Sequence, residues 1–337
     1  MRTGILCTIG PATNSEEMIV GLASKGMTIA RVNCSHGGAE GNRHLFELLN
    51  KTRKKHNLSF KIALDTKGPE VRIGTFEGGG VELEKGQDFT LTTKNCVGDK
   101  TRVWVNYELL PKRICVGKTI LLNDGMISLT VKTVTDTEVI TRVDVGGKLL
   151  NRKALFAPGC SLDLPFLTKA DQEDLKLAND VGAELILASF VGKHEDLIEM
   201  SGFLKEHGGE IPIYAKVESV EGVGNLDKIL EYCDGVIVAR GDLGVEYPVE
   251  QIPSLQRQMI KKAKEKNKIA IVATEMMESM IKNPRPTRAE VTDVTIAIEQ
   301  GADLIWFSAE TATGKYPLKV MDFASRIIDQ TQRNVII

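Results

Sequence analysis

The chain of 337 residues lacks any apolar stretch approaching a membrane span, which takes about 18–20 such residues. No long apolar segment follows Met1-Arg-Thr-Gly4 either, so neither a membrane partner nor a secretory leader is expected and the predicted location is cytoplasmic. Cysteine is sparse. The six thiols Cys7, Cys34, Cys96, Cys115, Cys160 and Cys233 are scattered, with no Cys-x-x-Cys pair. That argues against a zinc site or a disulfide framework. Cys7 and Cys233 sit beside apolar runs and read as core thiols. Excess charge is also missing. A formal net charge of −2 gives no support for a nucleic-acid partner, and the basic run Lys51-Thr-Arg-Lys-Lys55 reads as a solvated helix end. There is no internal repeat and no low-complexity tract.

What is present is an ordinary globular composition, 42% apolar and 26% charged, arranged in a regular rhythm. Eight short apolar runs recur: Gly4–Ile9, Thr28–Asn33, Lys61–Thr66, Leu185–Phe190, Ile211–Lys216, Gly235–Arg240, Ile269–Thr274 and Leu304–Ser308. Runs of this length bounded by polar residues predict buried parallel strands. Helical patterns lie between most of them, from Ser15–Lys25 to a last stretch at Leu318–Asn334. Eight strand–helix units predict a (β/α)8 TIM barrel.

The rhythm breaks once, between Thr66 and Leu185. This stretch carries Gly78-Gly-Gly80, Gly146-Gly147 and the alternating segments Ile127–Val131 and Val139–Val143. It predicts a small all-β domain inserted after the third strand. The expected division is a barrel over 1–68 and 166–337 and an insert over 69–165. A domain carried on a βα loop stands over the C-terminal mouth of the barrel, where barrel active sites lie. It is expected to act as a lid.

The strand ends carry the chemistry. Ile213-Tyr-Ala-Lys-Val-Glu-Ser219 and Val236-Ile-Val-Ala-Arg-Gly-Asp-Leu-Gly244 are apolar runs that end in charge. Glu218 and Asp242, with Lys216 between them, suit Mg2+ and an anionic substrate, because Mg2+ takes one or two carboxylates plus substrate oxygens. Arg31, Lys67, Arg72 and Lys216 offer positive charge for phosphate groups. Asn33, Ser35, Asp65 and the Thr66 carbonyl are oxygen donors suited to a hard cation. Backbone amides at Gly241 and Asp242 suit a carboxylate. Taken singly, each has a plainer reading: Arg31 as a structural salt bridge, His36 as a loop histidine, Asp65 as a turn cap, and Glu218 and Asp242 as partners of nearby arginines. Five of the eight strand ends carry charged or donor clusters, and a barrel does not need that to fold.

Long segments extend the reading. Cys7–Ala12, Ala30–Gly37, Leu64–Arg72, Asn123–Gly125, Asp163–Pro165, Ala188–Val191, Lys216–Glu218, Val238–Glu246, Asn283–Glu290 and Glu310–Ala312 together resemble the pyruvate kinase family along nearly the whole chain. The resemblance implies phosphoryl transfer from phosphoenolpyruvate to ADP, giving pyruvate and ATP. It implies that Arg31 and Lys216 hold the moving group, that Glu218 and Asp242 bind Mg2+, and that Asn33, Ser35, Asp65 and Thr66 bind K+. Gly241, Asp242 and Thr274 would hold the substrate. Asn33, His36, Arg72, Lys153 and Asp124 would face the nucleotide. Thr274 and Ser308 would help deliver a proton to the enolate. Glu70 implies K+ dependence, since the family tends to carry lysine there when it does not need K+.

The chain departs from the family pattern in places. Cys34 replaces a phenylalanine, Lys153-Ala-Leu-Phe156 a Lys-Gly-Val-Asn, Glu275 a glutamine and Thr295-Ile-Ala297 an Ala-Asn-Ala. Ala309 replaces a glycine, which would crowd the mouth if that position needed positive φ. The family usually continues into a C-terminal effector domain, so barrel and lid alone are expected here, with a homo-oligomer possible through the barrel. Two other readings remain open: an Mg2+-dependent barrel lyase acting on a pyruvate enolate, and a catalytically weak phosphoenolpyruvate-binding paralogue.

Overall fold

The computed structural model describes residues 2–35 and 37–334. Three strands open the barrel: β1 (Gly4–Thr8), β2 (Met27–Asn33) and β3 (Lys61–Asp65). Eight strands then build the insert: β4 (Gly80–Leu83), β5 (Asp88–Thr92), β6 (Arg102–Trp104), β7 (Thr119–Leu122), β8 (Ile127–Val134), β9 (Glu138–Val145), β10 (Gly147–Leu150) and β11 (Leu155–Phe156). The barrel resumes with β12 (Leu185–Ala188), β13 (Ile213–Val217), β14 (Gly235–Ala239), β15 (Ile269–Ala273) and β16 (Leu304–Phe307). The eight barrel strands pair in parallel, each with the next, and β1 pairs with β16 to close the ring.

Two apolar layers follow from the period of two along each strand. Leu6, Ile29, Ala63, Leu187, Tyr214 and Ile237 fill the barrel interior. Their neighbours Cys7, Ala30, Leu64, Ala188, Ala215 and Val238 point outward against the helices. Each fully buried large apolar side chain contributes about 1.5–3 kcal/mol relative to exposure.

The helices of the described residues are α1 (Glu16–Ser24), α2 (Gly38–Lys55), α3 (Leu110–Arg113), α4 (Lys169–Val181), α5 (His194–Glu206), α6 (Val220–Gly224), α7 (Leu226–Tyr232), α8 (Arg240–Glu246), α9 (Ile252–Glu265), α10 (Arg288–Glu299), α11 (Ala309–Ala312) and α12 (Pro317–Asn334). Local chemistry sets their starts. Thr168 with Asp171, and Thr287 with Glu290, form reciprocal capping boxes at α4 and α10, which satisfy two otherwise orphaned N–H groups at each end. None of these helices is long and apolar enough to cross a membrane.

Some local expectations are revised. Strand β12 stops at Ala188 because Phe190 turns left-handed at φ 57°. The segment after β13 folds into α6 and α7, and the segment after β14 is itself a helix, α8. Ala309 lies in α11 and is not among the positive-φ residues, so the methyl causes no backbone conflict there.

The insert has its own core, in which Phe89, Leu91, Val103, Ile120, Leu129 and Val143 are fully buried. Its main sheet runs β11-β7-β8-β9-β5-β6, and β4 pairs antiparallel with β10. Gly146, between β9 and β10, is required where that pair meets, because a Cβ there would sit 2.2 Å from the Leu83 carbonyl oxygen. The tip of the insert reaches the barrel. A Cβ on Gly125 would lie 3.8 Å from Val245 of α8.

Candidate active site

Strand alternation explains how charge enters the barrel mouth. Arg31 lies two residues beyond the interior Ile29, Asp65 two beyond Ala63, Ser189 two beyond Leu187, and Lys216 two beyond Tyr214. Each therefore points inward from the C-terminal end of its strand. Register finishes the placement by setting Asn33 opposite Asp65.

Asp65 is the hub. Its Oδ2 accepts from Arg31 Nε at 2.8 Å and also from Arg31 Nη2. Its Oδ1 accepts from the Ser189 hydroxyl at 3.3 Å and lies 3.4 Å from Lys216 Nζ. Lys216 Nζ also donates to Ser189 Oγ at 2.7 Å and lies 3.2 Å from Glu218 Oε1. The Trp306 ring supports both cations, with Arg31 Cζ at 5.0 Å and Lys216 Nζ at 5.8 Å from its centre. Each such contact adds about 0.5–2 kcal/mol, more where water is excluded.

The electrostatics follow from burial. Burial opposes the Lys216 ammonium, and Asp65 and Glu218 outweigh it, so the lysine stands above its usual pKa. Burial pushes Glu218 up, and the Asp242 charge adds to the shift against Lys216. Asp242 is raised as well, by burial and by the charges of Glu70 and Asp124 in the insert, against the Lys216 charge. Two cations, Arg31 and Lys216, thus face three carboxylates, Asp65, Glu218 and Asp242.

That balance tests the metal reading. Glu218 and Asp242 are adjacent, poorly solvated and mutually repelling. A divalent cation in that place removes the repulsion, so the pair fits Mg2+. No group of three or more acidic, histidine or cysteine side chains among the described residues is placed for a metal.

A second cluster sits beside the first. The Gly241 amide donates to Thr274 Oγ1 at 2.7 Å, and the Thr274 hydroxyl donates to Ala273 O at 2.5 Å. Thr274 and Glu275 are consecutive left-handed residues, at φ 71° and 52°. Such conformations cost about 1–3 kcal/mol each outside glycine and persist only when neighbours hold them. The Glu275 side chain is exposed. Ser308 is anchored from below, its amide donating to the buried Glu310 at 2.8 Å.

The other expected site residues are more dispersed. Ser35 N donates to Asn33 Oδ1 at 3.1 Å, which orders the loop after β2. The Thr66 carbonyl accepts from Ser189 at 2.7 Å. Arg72 is taken by Glu70, at 2.9 and 3.0 Å, and by the Arg152 carbonyl at 2.8 Å. Lys153 and Asp124 pair with each other at 3.1 Å. His36 lies outside the described residues. A cavity of about 420 Å3 lies between insert and barrel; its described lining includes Glu218 but neither Lys216 nor Arg31.

The sequence reading assigned no role to Ser189 or Trp306. The signal was available, since both lie two residues beyond interior positions on their strands. Their importance rests on what stands across the barrel.

Known proteins resemble this chain over nearly all of its length. The family model described as pyruvate kinase, barrel domain, matches residues 1–321. The pyruvate kinase of Thermotoga maritima is 42% identical over 333 residues, covering 99% of this chain and 72% of the relative. That of Bacillus licheniformis is 41% identical and covers 98% of this chain but 57% of the relative. The crystal structure of a pyruvate kinase from Cryptosporidium parvum superposes with a TM-score of 0.95 at 38% identity, over 98% of this chain and 69% of that one. The chain belongs to the pyruvate kinase family and is a phosphotransferase of that family.

Proposed function

We propose that the barrel mouth transfers the phosphoryl group of phosphoenolpyruvate to ADP, with the insert over 69–165 serving as the lid. One observation carries the residue assignment: Lys216 lies within 3.4 Å of Asp65, Glu218 and Ser189, with Arg31 on the other oxygen of Asp65. A loose phosphoryl-transfer transition state asks mainly for positioning and charge stabilisation. Arg31 and Lys216 are held inside the mouth for that purpose.

The bond from phosphorus to the enol oxygen breaks, and its electron pair stays on that oxygen. The ADP terminal phosphate oxygen forms the new bond. Lys216 keeps its proton, since its neighbours hold its pKa above the usual value. It therefore acts as a fixed positive charge beside the enolate oxygen and not as a base. Thr274 and Gly241, 2.7 Å apart, would turn their hydroxyl and amide donors to the substrate carboxylate, with the Asp242 amide beside them. Thr274 and Ser308 would guide a proton to the enolate carbon, giving pyruvate.

Glu218 and Asp242 would hold Mg2+, which supplies charge neutralisation between substrate oxygens when bound. Asn33, Ser35, Asp65 and the Thr66 carbonyl would hold K+; all four are oxygen donors on the adjoining ends of β2 and β3. Arg72 and Lys153 would leave Glu70 and Asp124 for the ADP phosphates, with Asn33 on the barrel side; the resemblance adds His36 to the nucleotide contacts. Lid closure would exclude the water that competes for the phosphoryl group. A coupled assay of ADP-dependent pyruvate formation, with Mg2+ and with K+ or Na+, tests the proposal. Absence of pyruvate under all conditions would overturn it.

A further inference from the structure

We propose that Arg240 is a positioning residue for the carboxylate subsite, holding the Thr274–Glu275 turn in the shape that presents the Thr274 hydroxyl. The inference rests on the reading of the mouth as a phosphoenolpyruvate site.

Arg240 opens α8 and immediately precedes Gly241. Its side chain is nearly buried, at 11% exposure. The guanidinium divides its donors between two tasks. Nη2 donates to the Thr274 carbonyl at 2.6 Å and to the Glu275 carbonyl at 3.3 Å, and Nε reaches the Thr274 carbonyl at 3.3 Å. Nη1 donates to Asp293 Oδ1 on α10 at 2.7 Å and to Gln256 Oε1 on α9 at 3.3 Å. Gln256 is itself buried and donates to Gln300 at 2.9 Å.

The two carbonyls it holds belong to the two left-handed residues. Thr274 is β-branched and is a poor occupant of that conformation without outside support. The clamp supplies the support from two helices. One residue thereby governs both halves of the subsite, Gly241 through the chain and Thr274 through hydrogen bonds. The planar fork is essential, because an ammonium cannot serve the turn and Asp293 together in this geometry. Arg240 acts through Thr274 and is not itself in contact with the reacting atoms in this reading.

Arg240→Lys and Arg240→Ala are the test, measured beside the wild type for the KM of each substrate, for kcat and for Tm. Oxalate, a small carboxylate probe, is titrated by calorimetry with Mg2+ present. The expected result is a rise of about tenfold or more in the KM for phosphoenolpyruvate and a matching weakening of oxalate, with the KM for ADP within about twofold. Millimolar guanidinium should restore much of the loss in Arg240→Ala. Asp293→Asn, which removes only the anchor, should raise the same KM by about threefold and keeps the question open to measurement if Arg240 variants do not fold. An unchanged KM for phosphoenolpyruvate would overturn the inference. So would an equal rise in both KM values with a fallen Tm and no guanidinium rescue, the signature of general damage. A wild type that forms no pyruvate would instead overturn the reading of the mouth, and the oxalate titration would still report on the clamp.

Discussion

Lys216 Nζ donates to Ser189 Oγ at 2.7 Å, and Ser189 Oγ in turn lies 2.7 Å from the Thr66 carbonyl and 3.3 Å from Asp65 Oδ1. A strand-end serine thus orients the lysine from behind. Lys216→Met should lower pyruvate formation by about 10²–10³ or more while the fold persists, because the charge at the enolate oxygen is lost. Ser189→Ala should cost less, about tenfold, since the ammonium remains but swings more freely. Steady-state kinetics with circular dichroism check both. Activity of Lys216→Met within a few-fold of wild type would remove it from the mechanism.

Glu218→Gln and Asp242→Asn should each raise the half-saturating Mg2+ concentration by about tenfold or more, since each removes one of the two carboxylates proposed to hold the ion. Chelation should abolish wild-type activity. Mg2+ titrations at fixed substrate decide it, and unchanged curves in both variants would place the metal elsewhere.

Glu70→Lys should reduce the K+ requirement by placing a fixed charge near the proposed cation site. Glu70 holds Arg72 through two hydrogen bonds, so the same variant should also alter the KM for ADP. Activity is compared in K+ and in Na+. An undiminished ratio between the two would count against Glu70 as the determinant.

Asp174 makes a prediction about stability. It is 1% exposed, neither carboxyl oxygen has a partner among the described residues, and burial pushes it up to about 7, with Asp171 adding to the shift. The folded state then holds a proton that the unfolded state releases between about pH 4 and pH 7, so this group's contribution to stability falls as pH rises through that window. Asp174→Asn removes the titration. The variant should be more stable than wild type by on the order of 1–3 kcal/mol near pH 8 and nearly equal to it near pH 4. Denaturant unfolding at the two pH values checks this, and a difference that does not grow with pH would show that Asp174 is satisfied in solution.

The sequence by itself determined the strands of the barrel, because each is a short apolar run with polar ends, and burial on both faces needs only local pattern. It also determined that Arg31, Asp65 and Lys216 point inward, since a period of two carries the interior face to each strand end. The capping pairs Thr168–Asp171 and Thr287–Glu290 are local in the same way.

Tertiary structure alone decided the rest. Arg31 meets Asp65 across 34 residues, and Arg240 meets Thr274 across 34. Trp306 slides beneath Arg31 only because β16 closes on β1. The left-handed turn at Thr274–Glu275 runs against local preference and is held by a guanidinium from another strand end. Hydrophobic periodicity reports which face of an element is buried. It carries no record of what stands on the far side of the barrel, and there the closure of the ring, through strand order and register, brings the charges together.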